Sequence, residues 1–218
     1  MPYDASKIEV LEGFEAVRRR PQMYFGGTAR GNPALPGVAL ALVVQDALVE
    51  EAPYGPLTVR VVVDGPHTFS VEDDGPGLPV EPMCPGRRPA ITELMTSLMC
   101  GQIPMRRWGM GMVTALCTEV VADVWRDGRH YRQRAGWQDL ETPLEVVGES
   151  SRHGTRVAYR LDDAYLAPAE LPFDLIPLLE PLFSLPHHYD EVPRPSPGTM
   201  IELIDHRHAK RTASLRSP

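Results

Sequence analysis

Lysine is almost missing from this 218-residue sequence: Lys7 and Lys210 are the only two, and arginine carries the remaining side-chain positive charge. A net basic balance is missing too. The formal charge is −7, which disfavours a nucleic-acid surface as the main function, because phosphate binding wants a basic face. Cysteine is scarce and unpatterned. Cys84, Cys100 and Cys117 are odd in number and lack C-x-x-C spacing, so neither a disulfide framework nor a zinc site is suggested, and a reducing, cytoplasmic setting is expected. No apolar run approaches the roughly 20 residues of a membrane span. The polar N-terminus carries no secretory signal, and no internal repeat is visible.

What is there suits one domain. Hydrophobic residues make up 43% and charged residues 23%, ordinary values for a globular chain. Residues 1–205 are expected to form that domain and the polar segment 206–218 a frayed tail. Ile8, Leu11, Phe14 and Val17 recur every third position and predict a helix over 8–20, ended by Pro21. A second helix is predicted over 38–51, nearly apolar in its first half. Residues 57–63 and 68–72 read as a hairpin joined by Asp64-Gly65-Pro66. Helices are predicted at 91–99 and 112–121, and strands at 120–126, 130–135, 144–147, 154–160 and 199–204. The apolar stretch 171–185 holds Pro172, Pro177 and Pro181 and should be short or broken. Helices come early and strands later, which predicts a two-layer α+β sandwich.

The segment Glu72-Asp73-Asp74-Gly75-Pro76-Gly77-Leu78-Pro79 leaves a predicted strand in a sharp turn. Glycines let the backbone come close to a flat ligand. A fixed carboxylate such as Asp73 can accept a hydrogen bond from an exocyclic amine like that of adenine. An ordinary Asp-Gly turn is the competing explanation of these residues taken alone.

The surrounding motifs decide how that turn is read. The opening stretch runs Ile8-Glu9-Val10-Leu11-Glu12-Gly13-Phe14-Glu15-Ala16-Val17-Arg18-Arg19-Arg20-Pro21-Gln22-Met23-Tyr24-Phe25-Gly26. It resembles the start of the ATPase domain of the gyrase B and topoisomerase IV B proteins, members of the GHKL group. Val43-Val44-Gln45-Asp46-Ala47-Leu48, Asp73 to Pro79, Gly109-Met110-Gly111, Tyr131-Arg132-Gln133 and Gly154-Thr155 follow in family order. The resemblance implies a mixed sheet with helices on one face and ATP or ADP bound between them with Mg²⁺. It implies that Asp73 binds the adenine amino group with Thr155 nearby, and that Gly77 and Pro79 shape the adenine wall. Gly109 and Gly111 would lie in the phosphate loop. Arg132 would sit at the pocket mouth, where the family's aminocoumarin inhibitors make contact. Tyr3 would lie on an arm that reaches across a nucleotide-dependent homodimer.

The pattern also breaks. Leu42 falls where the family carries the glutamate that activates water, and leucine cannot take a proton. Asp46 replaces the family's Mg²⁺-binding asparagine; a carboxylate can still bind Mg²⁺, but without the metal it repels a triphosphate. Pro76 replaces an arginine whose family partner is an acid at the position of Glu50. Arg106, Arg107 and Trp108 replace small residues of the lid; the two arginines could hold an anion, while Trp108 with Met110 and Met112 could fill the phosphate space. The chain is expected to end before the family's second domain, which supplies a lysine to the terminal phosphate.

Three functions are therefore open at this level. One is a nucleotide-binding module that no longer hydrolyses ATP. The second is a repurposed pocket in which Asp46, Glu50 or Asp73 performs acid–base chemistry on another small molecule. The third is a residual ATPase with Glu50 or Asp46 as relocated base. The five-methionine group Met95, Met99, Met105, Met110 and Met112 reads as adaptable packing. His187-His188 and His206-x-His208 read as loop and tail residues rather than metal ligands.

Overall fold

Alternation of β-branched and polar residues sets the sheet. In the computed structural model, which describes residues 10–50, 55–98, 109–138, 141–184, 195–207 and 211–217, the strands are β1 (Thr58–Gly65), β2 (Thr68–Asp73), β3 (Cys117–Arg126), β4 (Arg129–Ala135), β5 (Glu145–Glu149), β6 (Gly154–Leu161), β7 (Met200–Asp205) and β8 (Arg211–Arg216). They form a single sheet in the order β5-β4-β3-β6-β2-β1-β7-β8. The β1–β7 pair is parallel and every other pair is antiparallel, so the sheet is mixed, as the family resemblance implies.

The helices are α1 (Gly13–Arg19), α2 (Leu35–Glu50), α3 (Ala90–Thr96), α4 (Gly109–Thr114), α5 (Asp163–Leu166) and α6 (Ile176–Leu179). Helix α2 packs on β1 and β2, α3 on β4, and α4 on β3. They cover the sheet face built by Val59, Val61 and Val63, Phe69 and Val71, Val157 and Tyr159, and Val120, Ala122 and Val124, all buried. The rings of Phe69 and Tyr159 stack 5.0 Å apart across β2 and β6. Burial of this apolar face, at roughly 25 cal/mol per Å², is the main term holding the two layers together.

Arg18 ties α1 to the rest. Its guanidinium pairs with Asp162 at 2.7 Å, donates to the Ala115 carbonyl and lies 3.7 Å from the Trp137 ring centroid. The basic run is thus structural at Arg18. Tyr165 stacks on the same guanidinium and donates its hydroxyl to the Arg18 carbonyl, and burial raises its pKa.

Several expectations need correction. The helix over 112–121 is instead α4, ending at Thr114, followed by β3 from Cys117. Thr118, Val120 and Val121 are β-branched and lose rotamer freedom in a helix, and strand pairing with β6 takes over. The frayed tail is instead β8 over Arg211–Arg216, paired antiparallel to β7, with Ala213 and Leu215 packed against the core. Two apolar residues in alternation are too short a signal beside a polar composition. The first described helix starts at Gly13, later than expected, and Ile8 lies outside the described residues. Segment 171–185 is broken as its prolines require, into α6 and a 3-10 turn over Glu180–Phe183.

The sheet face away from the helices carries a row of alternating charge. Register aligns Glu202, Arg60, Glu72, Arg156, Asp123, Arg132 and Glu145 on successive strands β7, β1, β2, β6, β3, β4 and β5. Arg60 pairs with Glu202 at 3.0 Å and Arg132 with Asp123 at 2.7 Å. Opposite charges facing each other on neighbouring strands favour this register over its neighbours. The members differ in weight. Asp123 is buried and also bonded by His130 at 2.7 Å, whereas Arg60 is exposed. Asp123→Ala should therefore lower unfolding free energy by about 1.5 to 3 kcal/mol, since it removes a buried acceptor of charge-assisted hydrogen bonds while its arginine partners stay within reach of water. Arg60→Ala should cost less than about 1 kcal/mol. Urea unfolding midpoints of the two variants check the contrast.

Candidate ligand site

The end of β2 and the start of β6 meet at a register pair, Asp73 opposite Thr155. Both face the helical layer, and both are buried. Asp73 Oδ1 accepts from the backbone N–H of Thr155 and of Gly75, each at 3.2 Å. Thr155 Oγ1 accepts from the N–H of Leu78 at 2.9 Å. The turn after β2 is thereby folded back on its own strand. Gly77 has φ of +81°, and a Cβ there would lie 2.6 Å from the Trp125 carbonyl oxygen, so this turn needs a glycine both for its backbone angle and for its approach to β3. Arg126 fastens the same turn by donating to the Gly77 carbonyl at 3.0 Å. Pro79 follows between buried Leu78 and Val80. Asp73, Gly77, Pro79 and Thr155 are thus brought together.

A second cluster forms where α2 meets α4. Asp46, 7% exposed, turns its carboxylate to the start of α4: Oδ2 accepts from the N–H of Gly109 at 2.7 Å and of Met110 at 3.1 Å. The first N–H groups of a helix have no partner within it, and an acid placed there satisfies them and the helix dipole together. Leu42 sits one turn earlier on α2 and faces the same glycine. A Cβ on Gly109 would fall 2.6 Å from Leu42 Cγ and 2.8 Å from Asp46 Oδ2. Gly111 lets α4 come against the end of α3, since a Cβ there would collide with the Ser97 carbonyl oxygen. Met110 and Met95 are buried in the core, and Met112 packs against it.

Arg132 lies elsewhere. Strand alternation puts it on the charge-row face with Asp123, opposite to the face of Asp73 and Thr155. Arg106, Arg107, Trp108, Tyr3, Met99, Met105, His187 and His188, and the side chain of Glu50, lie outside the described residues. Among the described residues no group of three His, Cys, Asp or Glu side chains is gathered for a metal. Cys117 is buried and donates its thiol to the Val113 carbonyl; burial raises its pKa well above the ordinary thiol value, so it is packing rather than a nucleophile.

The arrangement matches known proteins, although no family model matches the chain. The sequence is 38% identical to the DNA gyrase B protein of Thermus thermophilus over 175 residues, 74% of this chain. It is 30% identical to the DNA gyrase B protein of Clostridium acetobutylicum over 219 residues, and 35% identical to the DNA topoisomerase 4 B protein of Caulobacter vibrioides over 173. A crystal structure of the 43K ATPase domain of Thermus thermophilus gyrase B in complex with an aminocoumarin superposes with a TM-score of 0.70 at 26% identity, covering 94% of this chain and 51% of that one. The chain is a homologue of the gyrase B ATPase domain. It spans 27% of the Thermus, 32% of the Clostridium and 24% of the Caulobacter protein. The fold is accordingly of the GHKL α+β type, and among the described residues no helix is long and apolar enough to cross a membrane.

The structure also sets Asp46 on the backbone of α4, 63 residues away, a bond that the sequence reading did not foresee. No local pattern announces such a bond. Its strength is testable without any ligand. Asp46→Ala should cost about 1 to 2 kcal/mol, the range for loss of a helix-start acceptor, and Asp46→Asn, which keeps an oxygen for the two N–H groups, should cost less. Thermal unfolding followed by circular dichroism orders the two.

Proposed function

We propose that this gyrase-B-like module recognises the adenine portion of a ligand and does not hydrolyse a phosphoanhydride. The observation that carries the proposal is Leu42 packed against Gly109, where the resemblance aligns the family's water-activating glutamate. A leucine there neither takes a proton nor orients water. The Asp73–Thr155 corner supports the recognition half. A buried carboxylate next to a threonine, walled by a turn that only glycine permits, offers an acceptor for an exocyclic amine and a flat surface for its ring.

Asp46 Oδ2 already receives two N–H groups, whose hydrogens would face a cation on that oxygen, and among the described residues no group of three His, Cys, Asp or Glu side chains is gathered for a metal. No step is therefore assigned to a metal. The acid–base reading through Asp46, Glu50 or Asp73 draws no support from the geometry either: each of the two described carboxylates accepts two backbone N–H groups. The charge-row face pairs its arginines with acids, and the chain is net negative, so a small molecule is a better-matched ligand than DNA.

Purified protein incubated with ATP should release no phosphate above the protein-free rate, with or without Mg²⁺. Adenine-bearing ligands should raise the melting temperature, by linkage worth about 2.7 kcal/mol at 100 times Kd. Asp73→Asn should remove that shift, because an amide cannot offer the same pair of acceptor oxygens. Steady phosphate release, or a ligand shift indifferent to Asp73→Asn, would overturn the proposal.

A further inference from the structure

We infer that copies of this chain join head to tail through their sheet edges, with β5 of one copy lying alongside β8 of the next. The contact is separate from the Asp73 corner and does not rest on the adenine reading.

The sheet ends in β5 on one side and in β8 on the other, and among the described residues each of these strands pairs along one side only. Ser217 donates its N–H to the Thr199 carbonyl, just beyond the β7–β8 ladder. Backbone groups alternate along a strand, so Thr212, Ser214 and Arg216 turn their N–H and C=O groups away from β7, toward the open edge. Such an edge is a template for a further strand. The two edges differ in charge. The charged side chains of β5 are Glu145 and Glu149 alone, and those of β8 are Arg211 and Arg216 alone. Pairing either edge with its own kind sets like charges together, whereas β5 against β8 sets acids against arginines. The complement of each edge is therefore carried by the same chain.

Apolar surface is left at the same two places. Every residue of β5 is exposed, Val146 at 55% and Val147 at 45%. Beside β8, Phe173 is exposed with the Arg211 guanidinium 4.4 Å from its ring centroid. Side-chain faces match as well. Six antiparallel pairings and one parallel pairing lead from β8 to β5, so the two strands run in the same direction. A next copy with its helices on the same side thus adds its β8 parallel to β5. Glu145, opposite Arg132, and Arg216, opposite Met200, then share the charge-row face. Val146, opposite Tyr131, and Leu215, opposite Ile201, share the helical face. A join of two different edges is heterologous, so it closes into a ring or continues as a filament.

Sedimentation velocity of the full chain over a concentration series tests this. The wild type should associate more as concentration rises, and less at high salt, because the attracting charges are exposed. Two variants each block one edge. Val146→Lys combined with Val147→Lys makes the β5 edge basic at exposed positions. Ser214→Pro removes an outward N–H of β8 and leaves its bonds to β7 in place. Each variant alone should sediment as a monomer, and an equal mixture of the two should form a one-to-one complex, since each supplies the edge that the other lacks. A wild type that stays monomeric, association that high salt leaves unchanged, a single variant that still associates, or a mixture that stays monomeric would each overturn the inference. If circular dichroism shows one variant unfolded, the wild-type series and the other variant decide.

Discussion

The register of β2 on β6 is the constraint on which both faces of this molecule depend. Asp73 lies opposite Thr155, and Glu72 lies opposite Arg156. Because side chains alternate along a strand, a slip of one residue would exchange the faces. Glu72 would enter the helical layer, and Asp73 would leave the corner it makes with Thr155. The alternating charge row and the apolar contacts of Phe69 with Tyr159 both oppose that slip. The candidate-site carboxylate is thus positioned both by stacking on its own face and by ion pairs on the other side of the sheet.

The second constraint is the bond between Asp46 and α4. The carboxylate satisfies the first two N–H groups of this short helix and ties α2 to α4 across 63 residues of sequence. Leu42 packs against Gly109 at the same point.

Much of the fold was legible from residues alone. The hairpin of β1 and β2 about Asp64-Gly65-Pro66, the strands at 120–126 and 130–135, and the prolines that break 171–185 each carry a local cause. So does the Asp73 turn, whose glycine at position 77 is required by geometry. What was not legible depends on partners distant in sequence. The helix expected through Cys117 yields to strand pairing with β6, and β8 exists because β7 offers an edge to its two apolar residues. Arg132 carries a familiar motif, yet which face it occupies is set by register rather than by its neighbours in sequence. Asp46 carries no sign, in its own helix, that its partners lie at the start of α4.

The most direct test of the central claim is a crystal structure of the protein soaked with ADP and Mg²⁺. The account predicts that bound adenine rests on Asp73 and Thr155. Adenine bound away from that corner would contradict it.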